Sequence, residues 1–203
     1  MAVLNYTILP IYQGLPLVRC TWPGEDPLMV AYHDTEWGVP CHDDQKLFEY
    51  IVLDTFQAGL SWRIVLHKRA AFTKAFANFD PGKVACFGAR EINQLIKDSN
   101  IIRNRLKIKG TVKNAQAFLK IQKEFGSLSK YLWPFVHNHP VVHKHRHTSQ
   151  IGTSNKESDA LSRDLKQRGF TFVGTTICYA FMQGSGLIND HLTTCFRYST
   201  LNY

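Results

Sequence analysis

The chain has 203 residues, 44% of them hydrophobic, with 24 Lys plus Arg against 16 Asp plus Glu and a formal net charge of +8. That size suits one domain, or one domain with a small lobe, and the apolar share excludes general disorder. No run approaches the roughly 18 consecutive apolar residues of a membrane span, and the basic balance favours a polyanion such as DNA over an acidic metabolite, although many basic proteins bind no nucleic acid.

Met1 to Val18 is apolar but lacks a basic start and contains Pro10, Gly14 and Pro16. It therefore reads as an extended arm on a cytoplasmic protein, and not as a signal peptide or helix. Cys20, Cys41, Cys86, Cys178 and Cys195 are odd in number and widely spaced, which is no disulfide framework; some suit a core and others a metal.

From Asp43 onward the dominant period is helical. Asp43 and Asp44 cap or charge a helix in which Leu47, Phe48, Ile51 and Val52 share a face, with Gly59 as its stop. Ser61 is positioned to cap a second helix that carries Val65, Phe72 and Phe76 on one stripe. Asp80-Pro81 is an N-cap followed by proline at the first helical position, predicting a short helix through Val84 and Phe87. Another follows through Ile92, Leu95 and Ile96. Arg103 to Phe125 reads as a long basic helix with Ile108, Val112, Ala115, Phe118 and Leu119 inward. Lys97 to Glu124 holds eight Lys or Arg against two acids, which fits either a solvated face or a DNA-facing one. Leu128 to Val136 is a short helix interrupted by Pro134. His137 to Ser154, with five histidines, is a connector. A helix starts at Glu157 or Ser158, turns Leu161 and Leu165 inward and ends at Gly169. A final one runs from Thr175 to Met182 and stops at Gly184-Ser185-Gly186. With no repeat and no alternating strands, the expected fold class is all-α.

Four groups of residues can carry chemistry. Cys20 and His33 near one end, with His191 and Cys195 near the other, offer two thiolates and two imidazoles. Spacing alone also allows buried cysteines and surface histidines. The alternating His143, Lys144, His145, Arg146 and His147 suit a basic solvated loop more than a metal site. Tyr32, Trp37, Asp54 and Trp62 combine flat rings with a carboxylate, as a pocket for a flipped base requires; the same residues also fit an ordinary core and helix face. Finally, Gly174, Thr175 and Thr176 begin a helix after a glycine-bearing turn, where backbone N–H groups can hold a DNA phosphate.

Several stretches together resemble the type I 3-methyladenine DNA glycosylase family: DPLMVAYHDTEWGVP from Asp26, QAGLSW from Gln57, SDALSRDLKQRGFTFVGTTICYAFMQ from Ser158 and GLINDH from Gly186. The resemblance runs from about Arg19 to Cys195. It implies the helix-hairpin-helix glycosylase fold, with residues 1–18 as an N-terminal extension and 19–203 as a single helical domain. It also implies one structural zinc ion on Cys20, His33, His191 and Cys195. Tyr32, Trp37, Asp54 and Trp62 correspond to base-binding residues, and the turn at Gly174, Thr175 and Thr176 to the backbone grip. Two departures stand out. Asp54 occupies a position where the family carries glutamate, a loss of about 1.5 Å of reach, one carbon–carbon bond. Met29 stands where the best-known members have an aromatic residue.

The implied reaction is hydrolysis of the N-glycosidic bond of 3-methyladenine in alkylated double-stranded DNA by a monomeric enzyme, with Asp54 as the catalytic acidic group. Asp190 lies where superfamily members place an aspartate against the sugar, but it sits beside the implied zinc ligand His191 and is not taken as the catalyst. No lysine nucleophile is evident, which points to a hydrolase that does not cleave the strand. The alternatives are a weakened or inactive module that binds alkylated or distorted DNA, and a zinc-stabilised helical protein that docks other proteins.

Overall fold

The computed structural model describes residues 17–201, so the arm expected over residues 1–18 lies almost wholly outside them. Aspartates start three helices by accepting backbone N–H bonds that the first turn leaves unpaired. Asp26 caps α1 (Pro27–Thr35), Asp43 caps α2 (Asp44–Gln57), and Asp80 is reserved for a later one. α1 has no counterpart among the helices expected from the sequence. The single helix expected after Ser61 is two, α3 (Trp62–His67) and α4 (Arg69–Ala75), and the Ser61 side chain makes no capping bond. They break at Lys68, whose amine reaches the carbonyls of Ser99 and Asn100.

Asp80 then caps α5 (Pro81–Ala85), as its Asp-Pro signal predicts, and α6 (Ala89–Lys97) follows. α7 (Arg105–Phe125) is capped by Asn104 and ends at the left-handed Gly126. Ile108, Val112, Ala115 and Phe118 face inward as expected, but Leu119 is 36% exposed. It lies about 100° around the helix from Phe118, and Ile121 takes the next inward position. α8 (Leu128–Leu132) runs into a 3-10 turn over Trp133–Val136 that accommodates Pro134. Past the connector, Asn155 caps α9 (Lys156–Gln167), which starts ahead of the expected Glu157 or Ser158. α10 (Thr175–Gly184) is not the last helix, because α11 (Phe196–Thr200) follows. A two-residue strand β1 (Val141–Val142) pairs in parallel with β2 (Ile188–Asn189), a minimal exception to the expected absence of strands.

α2 is the hub, packing against α3, α7, α8 and α10. Its Leu47, Phe48, Val52, Leu53 and Phe56 are fully buried, with Phe56 against Phe72 at 4.6 Å and Phe48 against Phe118 at 5.3 Å between ring centroids. A charged strut joins the start of α1 to α3. Asp26 Oδ1 caps α1, while its Oδ2 accepts from Arg63 at 2.6 Å and pairs with His67 at 2.7 Å. Behind α1, Arg69 pairs with Glu36 and Glu49, and Lys46 bridges the same two acids. Gly186 is required where it stands. Its φ is +73°, and a Cβ there would lie 2.3 Å from the backbone of Val39 and Pro40.

One side chain fixes the end of the hub helix. Lys107, buried on α7, donates to Phe56 O at 2.9 Å and Ala58 O at 2.6 Å, two carbonyls the helix leaves without internal partners. Lys107→Met keeps the apolar stem but strands both acceptors. Urea unfolding is expected to show a loss of about 1–3 kcal/mol.

Candidate active site and metal centre

A cavity of about 300 Å³ opens where α1, α2, α3 and α10 converge. All four base-pocket residues proposed from sequence line it. Tyr32 is on α1, Trp37 just beyond it, Asp54 in the last turn of α2, and Trp62 begins α3. The Tyr32 and Trp62 rings lie 5.0 Å apart between centroids and tilt by 48°. Trp22, which sequence reasoning missed, stands edge-on to Trp37 at 5.1 Å. Gln57, one turn after Asp54, and Thr148, Ile151, Ala180 and Gln183 complete the lining. The indole N–H groups of Trp22 and Trp62 are buried without a protein partner among the described residues. Gln183 and Trp22 carried no local sequence signal, since each acquires its place only when distant segments meet.

Asp54 is the unusual member. It is 5% exposed, and its carboxyl makes no hydrogen bond or ion pair with any described residue. Burial alone pushes its pKa well above the ordinary carboxylate value. A group that keeps its proton more tightly when folded costs stability as pH rises. Between the two pKa values the folded state binds more protons than the unfolded chain, so the free energy of unfolding falls from about pH 4 upward. Asp54→Asn removes this cost. Its unfolding free energy at pH 7 is expected to exceed that of the parent chain, and its stability to vary less with pH over the window where Asp54 titrates; equal stability at both pH 4 and pH 7 would contradict the assignment.

The four proposed metal ligands are also brought together, all buried, with their ligating atoms within 4.8 Å of one another. Cys195 Sγ lies 3.5 Å from both His33 Nε2 and His191 Nδ1, and Cys20 Sγ lies 3.7 Å from His191 Nδ1. The far side of each imidazole is engaged. His33 Nδ1 meets Asp34 Oδ1 at 2.7 Å, and His191 Nε2 donates to Trp37 O at 2.9 Å. Those bonds fix which nitrogen of each ring faces the cluster, the arrangement metal-binding histidines require. Arg19 in turn clamps Asp34 through its guanidinium, at 2.7 to 2.9 Å. Hydrogen bonding from Cys20 and from the two imidazoles holds the Cys195 thiol well below its usual range, so the cluster favours a thiolate. The donor set fits a single tetrahedral ion.

Asp190 is remote from any sugar-binding role as a free acid. It is 1% exposed and already bound by Tyr179, Gln183 and His143. Burial acts to raise its pKa, yet these hydrogen bonds hold it below the usual value. At the proposed backbone grip, Gly174 leads into α10, the Thr175 hydroxyl is taken by Ser158 and Asp159, and Thr176 is exposed. α7 abuts the preceding turn. Asn114 accepts from Thr171 N at 2.7 Å and donates to Thr171 O at 3.0 Å. Lys109 and Lys113 on that stretch are exposed, whereas Lys107 is not, so not all of the basic helix face is solvated.

With this geometry, comparison with known proteins is decisive. The family model for methyladenine glycosylases matches residues 22–198. The chain belongs to that family. It is 49% identical over 180 residues to the DNA-3-methyladenine glycosylase 1 of Escherichia coli (strain K12), covering 89% of this chain and 96% of the relative. Against the DNA-3-methyladenine glycosylase of Haemophilus influenzae it is 46% identical over 177 residues, 87% of this chain and 96% of that one. Among solved structures, the 3-methyladenine DNA glycosylase I from Staphylococcus aureus, described for its recognition of 3-methyladenine, superposes with a TM-score of 0.85. Identity is 38%, with coverage of 88% of this chain and 95% of that one. A variant of such an enzyme in complex with 3-methyladenine aligns with the same TM-score of 0.85, at 38% identity over 88% of this chain and 96% of the other. The family's shared helical architecture agrees with the all-helical expectation, apart from β1 and β2.

Proposed function

We propose that the chain hydrolyses the N-glycosidic bond of 3-methyladenine in alkylated double-stranded DNA, as a monofunctional DNA glycosylase in base excision repair. The observation that carries this is the unpartnered Asp54 carboxyl in an aromatic cavity, in a chain whose relatives bear that activity in their names. A 3-methylated adenine in DNA is cationic. It gains from stacking on Tyr32 and Trp62, and its positive charge beside the unpartnered Asp54 carboxyl draws that buried acid into its ionised form, an acceptor that no protein group has satisfied. Gln57 and Gln183 supply further polar groups to the base edge, with Trp37 and Trp22 closing the wall.

In the reaction the C1′–N9 bond breaks and both its electrons go to the base, cancelling its charge, while a water oxygen bonds to C1′ and loses a proton. The leaving group therefore needs little protonation. Extraction, selection and orientation of the base are what the pocket contributes, and Asp54 in its ionised form also stabilises positive charge developing on the sugar. Gly174, Thr175 and Thr176, on a turn of helix-hairpin-helix type, and the exposed lysines of α7 hold the backbone without reading sequence. Residues 19–203 act as one helical domain and a cytoplasmic monomer, with residues 1–18 as an extension. Among the described residues no helix is long and apolar enough to cross a membrane. Cys20, His33, His191 and Cys195 would hold one structural zinc ion, which when bound supplies folding energy rather than chemistry.

Two experiments test this reading. Incubated with methylated duplex DNA, the protein is expected to release 3-methyladenine. Asp54→Asn should slow release about 10- to 100-fold, the worth of a charged hydrogen bond of about 1.5–3 kcal/mol, while Asp54→Glu keeps it. Tight binding of alkylated DNA with no release would favour a binding module instead, and full release by Asp54→Asn would remove Asp54 from its role. For the metal, elemental analysis is expected to find one zinc per chain, lost in Cys195→Ser together with thermal stability. Unchanged zinc content in that variant would rule the cluster out.

A further inference from the structure

A second set of metal-ligating side chains remains outside the pocket and the thiolate cluster. His143 and His145 follow β1 with one residue between them, and extended backbone sends side chains two apart to the same side. The segment is pinned, with His143 N donating to Asn189 O at 3.1 Å and His145 O accepting from Thr193 N at 2.8 Å. Both imidazoles consequently converge on Asp190. His143 Nδ1 lies 2.6 Å and His145 Nε2 3.2 Å from the same oxygen, Oδ1. The other oxygen is committed elsewhere, since Oδ2 accepts from Tyr179 Oη at 2.6 Å and Gln183 Nε2 at 2.7 Å. His145 Nε2 is buried and makes no directed hydrogen bond despite that short approach. The three ligating atoms lie within 4.8 Å of one another, and both histidines keep partial access to solvent.

We propose that His143, His145 and Asp190 form a second, open site for a divalent transition-metal ion of the zinc, cobalt or nickel class. Two imidazole nitrogens and one carboxylate oxygen suit such ions, with water taking the remaining positions. The absence of sulfur sets this site apart from the cluster of Cys20, His33, His191 and Cys195. The Oδ2 bonds need not break, so the ion would sit on the opposite oxygen of the carboxylate that holds Gln183, a pocket residue.

Titration of the full chain with Co2+, followed by equilibrium dialysis and absorption, tests this without DNA, and so independently of the glycosylase reading. The expected result is an equivalent of Co2+ that adds only weak visible absorption, because no sulfur-to-cobalt charge transfer accompanies it. H143Q/H145Q should remove that equivalent and spare the intense thiolate bands, while C195S should do the reverse. H139Q/H147Q, in the same connector, should change neither. Absence of a weakly absorbing equivalent in the parent chain overturns the proposal without recourse to any variant. So does its survival in H143Q/H145Q or its loss in H139Q/H147Q.

Discussion

Cys20 meets His191 across 171 positions of sequence and His33, on α1, meets Cys195 across 162, and that junction decides where α1 stands against the α10–β2 segment. α1 carries Tyr32 and leads into Trp37, while α10 carries Ala180 and Gln183, so opposite walls of the cavity come from the two segments the junction ties together. Neither would persist alone. A nine-residue helix is too short to be stable in water, and a two-residue strand pair contributes little by itself. Further ties surround the cluster: Phe196 N reaches Val18 O, Gly38 N reaches Gln183 O, and Cys41 N reaches Ser185 O. Gly186 lets the returning backbone lie directly on Val39 and Pro40.

Within the frame so fixed, the fold leaves one conflict unresolved. The other two buried acids among the described residues have partners: Asp26 its arginine and histidine, Asp190 its tyrosine, glutamine and histidine. Asp54 has none among the described residues, although it lies within an unbroken buried run of α2 from Tyr50 to Phe56. Surrounding order makes that tolerable. The phenylalanines on either side of it and the Lys107 cap hold the last turn of α2 in place whether or not the carboxyl is satisfied. An acid that a fold refuses to pair is where physical reasoning expects a ligand to supply the missing partner.

Much of this was legible in the sequence, and the failures have identifiable causes. Asp80-Pro81 predicts α5, yet the same dipeptide at Asp26-Pro27 starts α1 without a legible period behind it, because α1 mixes its buried Met29, Tyr32 and His33 with polar neighbours and shows almost no apolar stripe. The stripe from Val65 to Phe76 does face the core, but periodicity is blind to the break at Lys68, which depends on carbonyls some thirty residues away. Side-chain types identify Tyr32, Trp37, Asp54 and Trp62 as a possible pocket while leaving a plain core open. Only convergence of four elements separates those readings. Trp22 and Gln183 were invisible for the same reason, and the histidines of the connector acquired a shared target only once β1 was seen beside β2.

The strut at Asp26 has a consequence for how such a pocket changes over generations. Trp62 and Tyr32 ride on helices joined at one end by a carboxylate, a guanidinium and an imidazole on the rim, with Arg63 and His67 both exposed. The distance between the two rings is therefore gauged partly from outside the hydrophobic interior. Replacements at the rim can widen or narrow the slot for a flat base while the phenylalanine core beneath keeps its packing. Substrate range and folding stability are in this respect separately adjustable, which leaves a lineage room to retune one without endangering the other.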